Sequence, residues 1–385
     1  MSFLCAPSLK LSVIIAGFAA FAMFFGSGNL VFPLMMGRET ESYWLFSSLG
    51  LMLTGVLVPF LGLIALSCLK GSQDAFFRWL GRIGAWIVPF LILLLIGPFG
   101  VIPRCITVGY GAWQSFLPAT PLWLFTFVCV VIIGIAAAGP GKIVDVIGRY
   151  FTPVKLGALA IVIGGSLYVA FTSAPPIQMS QTVSPLQAFQ TGFFEGYHTM
   201  DLMAALFFGV SLVRYFKVPD TNTVLLTPTF VSMALGMFLL MLVYMALVYL
   251  GAVYSPQLKN LDGPQIFPAI ARMTLGASSD YLISFTLVVS CLTTAVALTA
   301  VSVDFLSTKV FFLNRKPKLT LYFCLLITFA MALSGFTGIM AFMAPILTYI
   351  YPFLIGLALL NIIVFLVKDL KFQKNKKSHS KNEAA

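Results

Sequence analysis

Apolar runs of about twenty residues, separated by short polar connections, recur along the whole chain. Ten such segments are predicted, at 11–36, 43–68, 83–113, 121–138, 147–172, 187–213, 226–254, 281–308, 319–336 and 339–367. Each is long enough to cross the roughly 30 Å hydrocarbon core of a bilayer as an α-helix. Two segments are interrupted. In the first, two glycines, a serine and an asparagine (Gly26-Ser27-Gly28-Asn29) split a continuous apolar run. In the sixth, Glu195-Gly196-Tyr197-His198-Thr199-Met200-Asp201 does the same. Lipid cannot satisfy backbone groups freed by a break, so a break at mid-membrane belongs where protein or a cavity surrounds it.

The interrupted segments stand five apart in a series of ten. Interruptions at corresponding positions of two halves point to the midplane site of a transporter. An odd number of crossings per half makes the second half an inverted copy of the first. The chain therefore divides into 1–172 (segments one to five), 173–368 (segments six to ten) and a basic tail, 369–385, that reads as polar and unstructured.

Composition agrees with an all-α polytopic membrane protein. Of 385 residues, 60% are hydrophobic and only 9% charged, against about 25% charged in soluble domains. A membrane β-barrel would instead show alternating stretches of about ten residues. The net charge of +11 does not imply nucleic acid. With the N-terminus inside, nineteen of the 23 basic residues fall on the inner side, which makes the charge a topology signal with both termini cytoplasmic. Only Arg38, Lys259 and Arg272 fall outside, and Arg104 lies within the third segment. The first segment also resembles a secretory leader, but the apolar run resumes at once and cleavage is not expected. The six cysteines lack metal or disulfide spacing and read as small apolar residues.

The third segment carries Pro89, Pro98 and Pro103 and is expected to be kinked or tilted. Between segments seven and eight, Gly263–Thr274 reads either as a short helix lying over the site or as a plain surface helix. The last segment, with Pro345 and Pro352, is either one kinked helix or an interfacial piece followed by a span.

Helix ends supply the chemistry. Free N–H groups at Gly26, Ser27 and Gly28 suit a carboxylate, and free carbonyls near Glu195 to His198 suit an ammonium or a cation. Phe24, Asn29, Gly196, Tyr197 and Thr199 complete the expected substrate-binding set, with Phe25 and Phe207 as further wall residues. In segment eight, Ser290, Thr293 and Thr294 either bond back to the preceding helical turn or join carbonyls of Ala22 and Phe25 in an oxygen cage for a small hard cation. Asp201 either caps the second half-helix or takes part in the site. Glu195 is a proton carrier or a partner for freed amides, and His198 a gating or pH-sensing group or an ordinary hydrogen-bonded residue. Arg104 either pairs with an acidic group or snorkels outward.

The segments FAMFFGSGNLVFP (Phe21–Pro33), IGPFGVIPR (Ile96–Arg104), GKIVDVIGRYFTP (Gly141–Pro153), EGYHTMD (Glu195–Asp201) and SCLTTA (Ser290–Ala295) together resemble the bacterial branched-chain amino acid:cation symporters, the LIVCS or BrnQ-type family. The resemblance runs in order over nearly the whole chain. It implies the LeuT-like fold of the amino acid–polyamine–organocation group, with five plus five helices, and Na⁺-coupled uptake of leucine, isoleucine and valine, with methionine as a further substrate. Proton coupling is the alternative. It implies a bacterial inner-membrane location, no organic cofactor, and the amino acid, Na⁺ and the bilayer as partners.

The resemblance also places the substrate carboxylate on Gly26 to Gly28, and sodium on the carbonyls of Ala22, Phe25 and Ser290 and the hydroxyls of Thr293 and Thr294. Asn29 matches a ligand of the second sodium in two-sodium relatives. No asparagine occurs in Thr227–Tyr249, so a second sodium is not expected. The chain departs from the family in three ways. Its members are longer by about two helices, an apolar residue stands where this chain has His198, and an acidic residue is common near Gly111. The last two are expected to bear on the pocket. Oligomeric state is left open.

Competing classes are weak. An intramembrane enzyme would need a nucleophile–base pair or a metal cluster, and two histidines without an HExxH spacing supply neither. A channel would need a continuous polar pore, whereas the polar interruptions are isolated.

Overall fold

A computed structural model describes residues 9–115, 117–138, 152–173, 177, 183–218, 224–276, 279–309 and 316–382. Every expected apolar segment is helical over its described part, apart from its ends and from breaks in the first, third and sixth. In chain order the elements are α1 (Leu9–Phe24), α2 (Ser27–Thr40), α3 (Trp44–Met52), α4 (Val58–Cys68), α5 (Gln73–Phe77), α6 (Gly81–Ile96), α7 (Val101–Gln114), α8 (Leu122–Ala138) and α9 (Thr152–Ser173). They continue with α10 (Pro185–His198), α11 (Asp201–Tyr215), α12 (Leu226–Val253), α13 (Ser255–Leu258), α14 (Gly263–Leu275), α15 (Ser279–Lys309), α16 (Pro317–Leu333) and α17 (Gly335–Asn382). A π-helical turn, Leu53–Leu57, joins α3 to α4 without a break. Large apolar side chains such as Phe285, Tyr322 and Leu326 remain exposed, as expected where lipid is the solvent.

Both predicted breaks are present. α1 closes with Phe25 N–H donating to Phe21 O at 2.9 Å and Gly26 N–H to Phe24 O at 2.8 Å. Gly26 is then extended, and α2 restarts at Ser27 with no side-chain cap on its free amides. In the sixth segment Met200 takes a left-handed conformation between α10 and α11 (φ 59°), and the two halves meet at a 43° bend. The third segment is not merely kinked. It is interrupted at Gly97-Pro98-Phe99-Gly100, between α6 and α7. Pro98 lacks an amide hydrogen, and the two glycines are poor helix formers.

Bare backbone brings the two halves together. α10 crosses α3 so closely that a Cβ on Gly192 would lie 1.9 Å from Ser47 O, and one on Gly196 2.0 Å from Thr54 Oγ1. Thr54 Oγ1 donates across this crossing to Phe193 O at 2.8 Å. Small residues permitting close helix approach are the usual solution where lipid offers no hydrophobic drive between helices.

Two expectations change, for α14 and for the tail, and the alternative left open for the last segment is decided. α14 is an amphipathic helix whose Ile266, Phe267, Ile270 and Ala271 are buried against α2, α7, α9 and α15, so it belongs to the packed body. The last segment is one helix, and its backbone stays helical through the basic tail to Asn382. No proline or glycine follows Gly356, and lysine and glutamine are good helix formers. Cys105, Cys129, Cys291 and Cys324 are buried and form no disulfide among the described residues, as expected of small apolar residues, and Cys68 is half-buried. Most of Gly141–Pro153, Cys5 and most of the loop following α9 lie outside the described residues.

Candidate functional site

A cavity of about 270 Å³ lies where the three broken segments meet α15. α1 and α2 contribute Ala22, Met23, Phe24, Gly26, Ser27 and Asn29. The third break contributes Ile96, Val101 and Arg104, and the sixth segment Thr199, Met200, Asp201, Ala204 and Phe208. From α15 come Thr293, Thr294 and Val296 to Leu298. The wall is largely apolar. Its two ionisable groups are Arg104 and Asp201, each 2% exposed.

Asp201 opens α11 and is held from two other helices. Asn29 Nδ2, on α2, donates to Asp201 Oδ1 at 3.0 Å and to Oδ2 at 2.9 Å. Tyr244 OH, on α12, donates to Oδ2 at 2.7 Å, and Asn29 Nδ2 also contacts the Tyr244 hydroxyl. All three side chains are buried. A buried carboxylate is tolerable when paired with donors in this way. Asp201 does not cap α11, whose N-cap is Met200 without a side-chain bond; its carboxylate instead ties both restarting half-helices to α12.

Arg104 spans the two original breaks. Its Nη1 donates to His198 O at 2.6 Å, at the carbonyl end of α10. A Cβ on Gly28 would lie 2.5 Å from its Nη2, so only glycine lets the guanidinium approach α2. The guanidinium carbon also sits 5.1 Å from the centre of the Phe32 ring. Buried Nε has no hydrogen-bond partner. Arg104 neither snorkels nor forms an ion pair; it closes on a helix end.

The expected sodium ligands are partly assembled. Thr293 and Thr294 border the cavity together with Ala22. Their hydroxyls donate to Ser290 O at 2.8 and 3.1 Å. This is the back-bonding reading, and it leaves both hydroxyl oxygens with lone pairs to offer. Phe25 and Ser290 do not line the cavity. Phe25 stacks on Phe21 at 5.3 Å between ring centres.

Several expected wall residues face elsewhere. Tyr197 stacks on Tyr351 of α17 at 4.6 Å. Glu195 Oε2 pairs with His198 Nδ1 at 3.0 Å on a half-buried surface away from the cavity. The His198 ring lies 5.7 Å from that of Phe32. Gly196 packs on Thr54, and Gly28 on Arg104. Phe207 turns to Phe305, while its neighbour Phe208 lines the cavity. Gly111 lies under α14, where a Cβ would meet Pro264 Cβ at 2.4 Å, and is not part of the cavity wall. A helical face changes with each residue, so one position decides between wall and packing.

The third break and Tyr244 were not anticipated as site elements. The Gly-Pro-Phe-Gly run was the available signal for the first. Tyr244 sits in segment seven, which contains no asparagine.

The sequence profile described as "Branched-chain amino acid transport protein" matches residues 9–378. The chain is 33% identical to the branched-chain amino acid permease BrnQ of Corynebacterium glutamicum, over 94% of this chain and 83% of that protein. It is 30% identical to BrnQ of Escherichia coli K12, over 91% of this chain and 80% of that one. Against the branched-chain amino acid permease BraB of Bacillus subtilis, identity is 31% over 92% of this chain and 81% of that one. These relatives are named as permeases, not enzymes. Among solved structures, a manganese transporter of Eremococcus coleocola shares the fold, with a TM-score of 0.56 at 16% identity, covering 96% of this chain and 80% of that one.

Proposed function

The chain belongs to the branched-chain amino acid transport protein family, and from that premise we propose that it is a Na⁺-coupled carrier of leucine, isoleucine and valine, and of methionine. The observation that carries this reading is the cavity between the breaks. Its 270 Å³ falls near the lower end, about 300 Å³, of ligand pockets in general, which suits one amino acid. Phe24, Ile96, Val101, Phe208, Val296 and Leu298 offer an apolar wall for an aliphatic side chain. An apolar pocket separates neighbours differing by a methylene only about 10–200-fold, so selectivity among the aliphatic amino acids should be modest.

The uncapped first turn of α2, at Ser27 to Asn29, receives the substrate carboxylate through backbone N–H groups. Sodium sits between the end of α1 and α15, on the Thr293 and Thr294 hydroxyl oxygens and carbonyls near Ala22 and Phe25. Hydroxyl and carbonyl oxygens are hard ligands suited to a small alkali cation. By holding α1 against α15, the ion shapes the carboxylate cradle.

Alternating access follows from two inverted halves, 1–172 and 173–368, moving about this site. With both termini cytoplasmic in a bacterial inner membrane, the lining residues beyond the breaks (Ala22, Met23, Ile96, Ala204, Phe208 and Ala297) fall in the cytoplasmic half.

The test is uptake of radiolabelled leucine into proteoliposomes, with Na⁺ and H⁺ gradients imposed separately. Saturable uptake with counterflow that follows the Na⁺ gradient supports the reading. Uptake that ignores Na⁺ and follows the H⁺ gradient replaces sodium with a proton, and non-saturable flux indicates a channel.

A further inference from the structure

We propose that the Asp201 carboxylate receives the α-ammonium group of the substrate, while Arg104 occupies the carbonyl end of α10 that a cationic ligand would otherwise take. The inference rests on the amino-acid carrier reading and specifies its polar contacts.

The last carbonyls of a helix attract cations, and α10 ends at the site. Three of its terminal carbonyls already accept hydrogen bonds. Gly196 O accepts from Thr199 Oγ1 at 2.8 Å. Tyr197 O accepts from the Thr199 N–H and, at 3.1 Å, from the Met200 N–H. His198 O accepts from Arg104 Nη1 at 2.6 Å. An arriving ammonium would have to displace a guanidinium that is buried, stacked over Phe32 and packed on Gly28.

Asp201 is the one carboxylate in the cavity wall. An ionised carboxylate offers about four lone-pair sites. Asn29 takes one on each oxygen and Tyr244 a further one on Oδ2; the Thr199 hydroxyl also lies beside the carboxylate, but its one proton goes to Gly196 O, which leaves capacity on Oδ1. Because Asn29 and Tyr244 come from different helices, the carboxylate is fixed before the substrate arrives. Such preorganisation raises affinity by reducing what must be ordered on binding.

The opposite charge is supplied by the other break. The free amides of α2, flanked by Arg104, favour an anion. The cavity therefore presents one negative and one positive locus, from different elements, with apolar surface beside them. This matches a zwitterion with an aliphatic side chain and disfavours molecules carrying only one of the two charges.

The experiment uses the full chain in detergent micelles. Binding of leucine is compared with that of 4-methylpentanoate, which is leucine without its ammonium. A site built to bind a substrate N–H group rejects an analogue lacking it, so the wild type should prefer leucine about 10²-fold or more. Asp201→Asn should remove the preference, bringing leucine affinity to that of 4-methylpentanoate in the same variant. A folded Asp201→Asn protein that retains the preference overturns the proposal. Should that variant not fold, the wild type decides. Leucine, but not 4-methylpentanoate, should slow carbodiimide modification of Asp201, followed by peptide mass spectrometry. Equal rates with and without leucine overturn the proposal. A wild-type protein that binds no leucine overturns the carrier reading instead.

Discussion

Asn29 donates through a single amide nitrogen to both carboxylate oxygens of Asp201, at 3.0 and 2.9 Å, across 172 residues of chain. The contact joins the restarting half of the first broken segment to that of the sixth. Tyr244, from α12, adds a third hydrogen bond. Removing one partner from a buried charge costs more than the contact is worth, because the remaining charge stays buried. Asn29→Ala should therefore destabilise the folded protein by about 2–4 kcal/mol, and Tyr244→Phe by about 1–3 kcal/mol. Since both act on one carboxylate, the double variant should not lose the sum of the two. Denaturant unfolding in mixed micelles checks all three values.

This cluster also shows what was legible in the sequence. Breaks one and six stood out because Ser27, Asn29, His198 and Asp201 are polar in otherwise apolar runs. That the apolar segments are helical followed from length and hydropathy alone. Their pairing did not, since nothing local to Asn29 specifies a partner on α11 or a tyrosine on α12. The third break was blurred by Pro89 and Pro103, which sit within helices on either side of it. Pro103 lies in the first turn of α7, where a missing amide hydrogen costs little. Arg104 could be read as an intramembrane charge, but its acceptor is a backbone carbonyl, and no sequence pattern marks which carbonyl that is.

Two neighbouring glycines should respond differently to alanine. A Cβ on Gly28 would fall 2.5 Å from Arg104 Nη2 and 3.1 Å from Phe32 Cε2. Gly28→Ala must therefore push the guanidinium from its place between the breaks. A Cβ on Gly26 meets nothing closer than Asn29 Oδ1 at 3.8 Å, and its backbone is extended with negative φ. Displacement of a positioning group by about 1 Å can cost on the order of 10²-fold. Gly28→Ala should lower leucine uptake by at least about tenfold, while Gly26→Ala stays near wild type. Initial uptake rates, normalised to the amount of protein in the membrane, distinguish them.

Gly111 was expected to bear on the pocket, and its surroundings argue otherwise. A Cβ there would lie 2.4 Å from Pro264 Cβ and 2.8 Å from the Pro264 carbonyl carbon. The backbone of α14 cannot yield as a flexible side chain would. Gly111→Glu should thus lift α14 from α7 and reduce the yield of folded protein, by about 1–3 kcal/mol of overpacking or more. The leucine-to-methionine preference of the surviving fraction should not change. Competition uptake together with size-exclusion profiles tests this. An altered preference with normal folding would return Gly111 to the pocket.

The proposed sodium site turns on two hydroxyls. Thr293 and Thr294 each donate to Ser290 O, at 2.8 and 3.1 Å, so the protons point into their own helix and the oxygens remain as acceptors beside Ala22. Substituting serine preserves that arrangement, and substituting alanine removes the oxygens together with the γ-methyl groups of two half-buried side chains. Thr293→Ala with Thr294→Ala should abolish the dependence of leucine uptake on the Na⁺ gradient. The paired serine variant should keep it, with weaker apparent Na⁺ affinity because serine is less constrained at χ1. Uptake measured over a range of Na⁺ concentrations gives both answers. If the double alanine variant transports with unchanged Na⁺ dependence, any coupling ion binds elsewhere, and the two threonines serve only to bond back to the preceding turn.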